Sequence, residues 1–178
     1  MNAVLDAIKA RRAIRKFRPD MVEKEKIDAV IEAGLYAASG KGTQSPIIIA
    51  VTDKDFRDRL SVVNRDIGGW DAPFDPFYGA PVVLCVVVSE EFRTRVYDGS
   101  MCIGNMMLAA SSLGLGSCWI HRARETLHTR IGQEMLQKAG LPAEEGHYEG
   151  IGFCILGYPE GEPPVAAPRR EGRVRYIA

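Results

Sequence analysis

Most of what would assign this chain to a special setting is missing from it. No apolar run approaches the ~20 residues that a membrane-spanning helix needs, and the longest, residues 81–88, has the length of a strand. The N-terminus has neither the apolar core nor the small-residue cleavage site of a secretory leader, so a cytoplasmic location is expected. An excess of either charge is also absent. Lysine plus arginine equals aspartate plus glutamate at 23 each, which argues against general binding to nucleic acid or an anionic membrane surface. Cysteine is scarce: Cys85, Cys102, Cys118 and Cys154 sit singly in apolar segments, with no CxxC. They read as buried, reduced thiols. His121, His128 and His147 have no ligand spacing, and no metal site is expected.

The familiar catalytic signatures are lacking too. There is no GxSxG elbow and no pair of carboxylates singled out for acid–base work. The loop 38–46 (ASGKGTQSP) fails as a Walker A motif, because Gly42 follows Lys41 and the loop lies after a helix and before a strand. Leu113-Gly114-Leu115-Gly116-Ser117 ends a helix and opens a strand, the reverse of a dinucleotide fingerprint. A chain without catalytic side chains but with anion-binding residues suits an enzyme whose cofactor carries the chemistry.

What is present is an alternation of helix and strand. Apolar residues at helical spacing predict helices over 2–12, 23–38, 53–64, 97–113 and 124–139, with Asn2 and Asp53 as caps. β-branched runs predict strands over 47–52, 81–88, 117–120 and 150–156. Residues 65–80, with three glycines and two prolines among Trp70, Phe74, Phe77 and Tyr78, predict an ordered but irregular excursion. The tail 157–178 is rich in proline and arginine and ends in a strand-like stretch, 173–177. No composition break divides the chain, so one domain over 1–178 is expected, of α+β class, with a mixed sheet flanked by helices. The helix 97–113 is apolar on nearly every side, which predicts burial all round and hence a partner chain on one side.

Two features could carry chemistry. Arg11, Arg12, Arg15, Lys16 and Arg18 place five cations within eight residues of a helix-to-strand turn. They form either a solvated basic face or a phosphate site, for which the planar guanidinium fork is suited. Arg169 and Arg170 supply a second basic pair that could meet the first. The loop 38–46 is either a simple helix terminator or a polar surface for a planar ligand.

Taken in order, Arg11-Arg12-Ala13-Ile14-Arg15-Lys16-Phe17, Ala37-Ala38-Ser39-Gly40-Lys41-Gly42-Thr43-Gln44-Ser45-Pro46, Gly79-Ala80-Pro81, Asn105-Met106-Met107-Leu108-Ala109-Ala110, Leu113-Gly114-Leu115-Gly116-Ser117-Cys118-Trp119-Ile120 and Leu156-Gly157-Tyr158-Pro159 resemble the nitroreductase family of flavoproteins. The resemblance implies an FMN-dependent homodimer with flavin sites across the interface. It implies NAD(P)H as donor and a nitroaromatic, a quinone or another small molecule as acceptor, reduced by ping-pong hydride transfer through flavin N5. Arg11, Arg12 and Arg15, with Ala13 between them, match positions that hold the phosphate and ribityl chain, and Arg169 matches a second phosphate-binding position. Ala38, Ser39, Gly42 and Gln44 match the loop that reaches the flavin of the other subunit. Asn64 matches an amide near the pyrimidine edge, and Trp119, Ile120 and His121 the stretch passing the central ring. No side chain is assigned a catalytic role. Ala13 stands where the family often has Ser, and Ala167 where it often has Lys. Two other readings stay open: a flavin-binding module without turnover, and a family enzyme that dehydrogenates or dehalogenates its substrate.

Overall fold

The structure is a computed structural model that describes residues 2–144 and 146–177. Its elements run α1 (Ala3–Ala10), α2 (Lys24–Leu35), β1 (Ile47–Val51), α3 (Lys54–Gly68), β2 (Val82–Ser89), α4 (Arg95–Ser112), β3 (Gly116–Ile120), α5 (Ala123–Leu127), α6 (Arg130–Lys138) and β4 (Tyr148–Gly157). The strands pair in the order β1-β2-β4-β3. The α+β class and the flanking helices agree with the sequence.

The sheet differs from the expected mixed one, since all four strands are antiparallel. Among the described residues parallel pairing is confined to the isolated bridge between Ala13 and Ser117. The cause lies in the excursion after α3. The helix carries the chain away from the end of β1, and residues 69–81 bring it back, so β2 starts beside the end of β1 (Val51 opposite Val83). Arg57, in the first turn of α3, donates from Nε to the Ala80 carbonyl at 3.0 Å, which ties the two ends of this return pass together.

β2 sits at the centre of the molecule. Its side chains alternate between two cores, as a strand's two-residue period requires. Val83, Cys85 and Val87 enter the core beneath α3, α5 and α6 with Leu60, Phe77 and Met135. Val82, Leu84 and Val86 enter the core beneath α2 and α4 with Val30, Ile103 and Met106. Every residue from Val82 to Val88 is fully buried, so an unbroken apolar run is what this position needs.

Asn2 caps α1 by accepting from the Val4 N–H at 3.0 Å, and Asp53 caps α3 by accepting from the Phe56 N–H at 2.8 Å. The helix expected over 124–139 is instead two. The Thr129 hydroxyl accepts from the Gly132 N–H and starts α6. At Gly132 a Cβ would lie 2.1 Å from the Thr126 carbonyl oxygen, so only glycine permits this turn. The tail strand expected over 173–177 does not form. From residue 160 to 177 the tail is exposed, and a strand needs a partner that the described residues do not supply.

α4 is buried on one face rather than all round. Asp98, Cys102, Ile103, Met106 and Ala110 point inward, while Tyr97 and Met101 are exposed at 73% and 52%. Val4, Leu5 and Ile8 of α1 and Leu35 and Tyr36 beside α2 are exposed as well. A hollow of about 670 Å³ lies between α1, α2 and α4, with Val4, Ala33, Tyr36 and Leu108 on its walls.

Candidate functional site

The segment after α1 runs along the outer edge of β3. Ile14 donates its N–H to the Ser117 carbonyl at 2.9 Å, and Arg18 donates to that of Tyr158 at 2.9 Å. Residues a hundred positions apart are thereby joined: Ala13 and Ile14 lie beside Ser117, and Arg11 and Arg15 lie near Cys118. Arg11 caps α1 through its backbone. Arg12 donates from Nη1 to the carbonyls of Lys9 (2.7 Å) and Arg11 (2.6 Å), which fixes its guanidinium against the helix end. Among the described residues Arg11, Arg12, Arg15 and Lys16 have no carboxylate partner, whereas Arg18 pairs with Asp20 at 3.6 Å. Three arginines close in sequence and without a carboxylate partner, in a chain of zero net charge, leave a local excess of positive charge at this edge.

Asn64 comes to the same edge from α3. It is fully buried and donates from Nδ2 to the His121 carbonyl at 2.8 Å. Its Oδ1 has no partner, nor have Arg12 Nε and Ser117 Oγ. Unpaired buried polar atoms cost free energy, about 1–3 kcal/mol each. These three lie along one sheet edge, and a fourth such atom, Thr126 Oγ1, lies in α5. The Cys118 thiol lies near Arg15 and Arg11; burial pushes it up, and the two cations only partly offset that.

The loop 38–45 is held differently. Asp98, buried near the start of α4, accepts from the Gly40 N–H (2.9 Å), the Thr94 hydroxyl (2.8 Å) and the Ser45 hydroxyl (3.0 Å). Burial pushes the Asp98 carboxyl up, but those three donors outweigh it and hold it below the usual carboxylate range. The Ser39 hydroxyl accepts from the Gln44 N–H at 2.9 Å. Lys41, Gly42 and Gln44 have φ of 53°, 67° and 50°, a left-handed backbone that turns the loop outward. Among the described residues no hydrogen bond or ion pair joins this loop to the arginines. Nor does Arg169 join them. It is exposed and donates only to the Ala167 carbonyl, at 2.6 Å.

The excursion 69–81 closes the other side. Asp75 is its anchor: it accepts from Arg57 Nη2 at 2.6 Å, from the Ser61 hydroxyl and from the N–H groups of Phe77 (2.8 Å) and Gly79 (2.7 Å). This network projects Trp70, Phe74 and Tyr78 as a row of edge-to-face rings. Sequence reasoning missed Asp75, Asp98 and Ser117. Asp98 left one trace, a carboxylate one turn into an otherwise apolar helix.

An antiparallel sheet between helical layers, with arginines that lack carboxylate partners and an orphaned amide along one edge, defines an α+β protein with uncompensated polar groups at that edge. The family follows from comparison. A profile described as the nitroreductase family matches residues 8–67 and 69–158, and the chain belongs to that family. A relative named NADPH-flavin oxidoreductase, from Vibrio harveyi, is 30% identical over 174 residues, which are 93% of this chain and 69% of that protein. An FMN reductase (NADPH) of Bacillus subtilis is 26% identical, with 71% of this chain and 57% of that protein aligned, so the chain spans only part of such relatives. Among solved structures, a nitroreductase with bound FMN from Bacteroides fragilis superposes with a TM-score of 0.87 at 26% identity, over 100% of both chains.

Proposed function

We propose that the chain is an FMN-dependent oxidoreductase, a single domain over residues 1–178, that takes hydride from NAD(P)H and delivers it to a small acceptor such as a nitroaromatic or a quinone. The observation that carries this is the unpaired Arg11–Arg12–Arg15 seat joined, at the β3 edge, to the partnerless atoms of Arg12, Ser117 and Asn64. They fit FMN: one terminal phosphate suits the guanidiniums, and a flavin ring has polar atoms for a buried amide and hydroxyl. The names of the relatives, flavin oxidoreductase and FMN reductase, support the same assignment.

The chemistry that FMN supplies when bound is alternate acceptance and donation of hydride at N5, so donor and acceptor use one pocket in turn. The protein positions and polarises. Arg11, Arg12 and Arg15 neutralise the phosphate. Asn64 fixes the His121 carbonyl, and so the course of Trp119, Ile120 and His121 past the ring. Backbone N–H groups in that stretch favour a negatively charged ring, because preorganised dipoles need no rearrangement. Trp70 and Phe74 wall the pocket.

The subunit alone leaves the site half built. The loop bearing Ala38, Ser39, Gly42 and Gln44 serves the flavin of a second copy, and Arg169 reaches a phosphate only once its tail is laid on a partner. The apolar surface of α1, α2 and α4 supports a homodimer of this kind, since exposed patches of this extent mark interaction sites. Among the described residues no helix is long and apolar enough to cross a membrane, in keeping with a cytoplasmic enzyme. Flavin released from the purified protein by heat should be stoichiometric FMN, and anaerobic NAD(P)H should bleach the bound form. Recovery of FAD, or a colourless protein that NAD(P)H leaves unchanged, overturns the proposal.

A further inference from the structure

Directly after His121 the chain does something costly. Arg122 has φ 75° and ψ 17°, a left-handed conformation that glycine adopts freely and a side chain disfavours. An arginine kept in that backbone points to a use for its side chain. The guanidinium lies over the Trp70 ring, its central carbon 4.4 Å from the ring centroid. It has no hydrogen bond or carboxylate partner among the described residues. Glu149, on the wall of the adjacent hollow, is engaged by Arg95 at 2.5 Å and Arg124 at 3.7 Å; Glu125 also lines that hollow. A guanidinium stacked on a ring keeps its in-plane N–H fork free, the geometry that grips a carboxylate in two places.

Trp70 also begins a row. Its ring meets Phe74 at 5.0 Å and 67°, and Phe74 meets Tyr78 at 5.8 Å and 86°. Trp70 and Phe74 are exposed at 41% and 37%. The row is rigid because Asp75 is held from four sides, and Arg122 is placed because Asn64 holds the preceding carbonyl. An apolar wall of rings set edge to face therefore ends in one free, fixed positive charge, next to the stretch that passes the flavin in the reading above.

We infer that Arg122 on Trp70 is a specificity-determining residue that selects planar aromatic acceptors bearing a carboxylate or sulfonate. The ring of such an acceptor lies against Trp70 and Phe74, and its anionic group takes the guanidinium fork. This rests on the flavin-site reading above, and the two are tested by separate readouts. Binding is measured calorimetrically on the purified, oxidised holoprotein with two unreactive probes of one shape, 2-naphthoate and 2-naphthalenemethanol. The wild type should bind the anion about ten- to a hundredfold tighter, the worth of one charge-assisted contact. Raising the salt concentration should narrow that preference. Arg122→Gly, which relieves the backbone and so keeps the fold, should abolish the preference, whereas Arg15→Ala should leave it in place. The kcat/KM ratio of 4-nitrobenzoate to 4-nitrobenzyl alcohol should fall by the same factor in Arg122→Gly, through KM. Equal affinities in the wild type, or an anion preference that survives Arg122→Gly, overturn the inference. Bleaching by NAD(P)H on the same samples reports on the flavin site alone.

Discussion

At the scale of single residues, charge without a partner separates function from architecture. Arg57 is 7% exposed and fully engaged with Asp58, Asp75 and the Ala80 carbonyl, so it holds the fold. Among the described residues Arg11, Arg12 and Arg15 have no carboxylate partner, and the function proposed above gives them a phosphate instead. The distinction makes Asp75 a determinant of acid stability. Burial pushes its carboxyl up, but hydrogen bonds from Ser61 and Arg57, the Arg57 charge and the Gly79 N–H bring it below the usual range. A carboxyl lowered in the folded state adds stability that is complete above its unfolded value, near pH 4, and is lost as pH falls through the lower folded value. The melting temperature of Asp75→Asn should thus be lower at pH 7 and fall less on acidification than that of the wild type; parallel curves from pH 7 to 3 would refute this role. Arg169→Ala should weaken FMN about ten- to a hundredfold, the cost of one phosphate contact, while Arg173→Ala should matter less. Flavin fluorescence titration decides it, and equal losses would remove Arg169 from the site.

At the scale of elements, legibility followed periodicity. β2 was readable because both faces are buried and its run of Val and Leu is unbroken. The caps Asn2 and Asp53 were readable because their short side chains reach the helix N–H groups within three residues. The break between α5 and α6 was not, because helical spacing continues across it and only the close approach of Gly132 to Thr126 forbids one helix. Gly132→Ala should cost roughly 1–3 kcal/mol or more through that overlap, against a few tenths for a typical surface change; a melting temperature within a degree of wild type would show that the turn relaxes. The arginines were visible as a cluster, but their place beside the β3 edge depends on a backbone pairing with Ser117 that no local pattern encodes. Arg122 was invisible for a similar reason, since nothing in Ile120-His121-Arg122-Ala123 announces a left-handed residue.

At the scale of the whole molecule, the proposed dimer turns on the apolar face of α1, α2 and α4. The sequence predicts a partner chain on one side of α4, whose centre carries Met106 and Met107. Met106 is instead fully buried within the subunit, while Met101 is exposed and Leu108 half-buried on the outer face. The two sites should therefore fail differently. Met106→Glu buries an unpaired carboxylate in the subunit core and should unfold it. Met101→Glu or Leu108→Glu should leave the subunit folded but split the dimer, and release FMN with it, because a ligand shared by two chains stabilises their assembly by mass action. Sedimentation and flavin absorbance on the same samples test this. A folded monomer with full turnover and stoichiometric FMN would show that each subunit is complete.

The cysteines bear on how that assembly can be watched. All four are free and buried. Burial pushes the Cys102 thiol up to about 12, and those of Cys85 and Cys154 further. Thiolate, the form that alkylating reagents attack, is therefore nearly absent from the folded protein. A cysteine introduced on the exposed tail, for example at Val165 or Tyr176, would be the one thiol a maleimide dye labels in native protein. With every natural cysteine left in place, paired dyes could then report the distance between two tails as subunits come together.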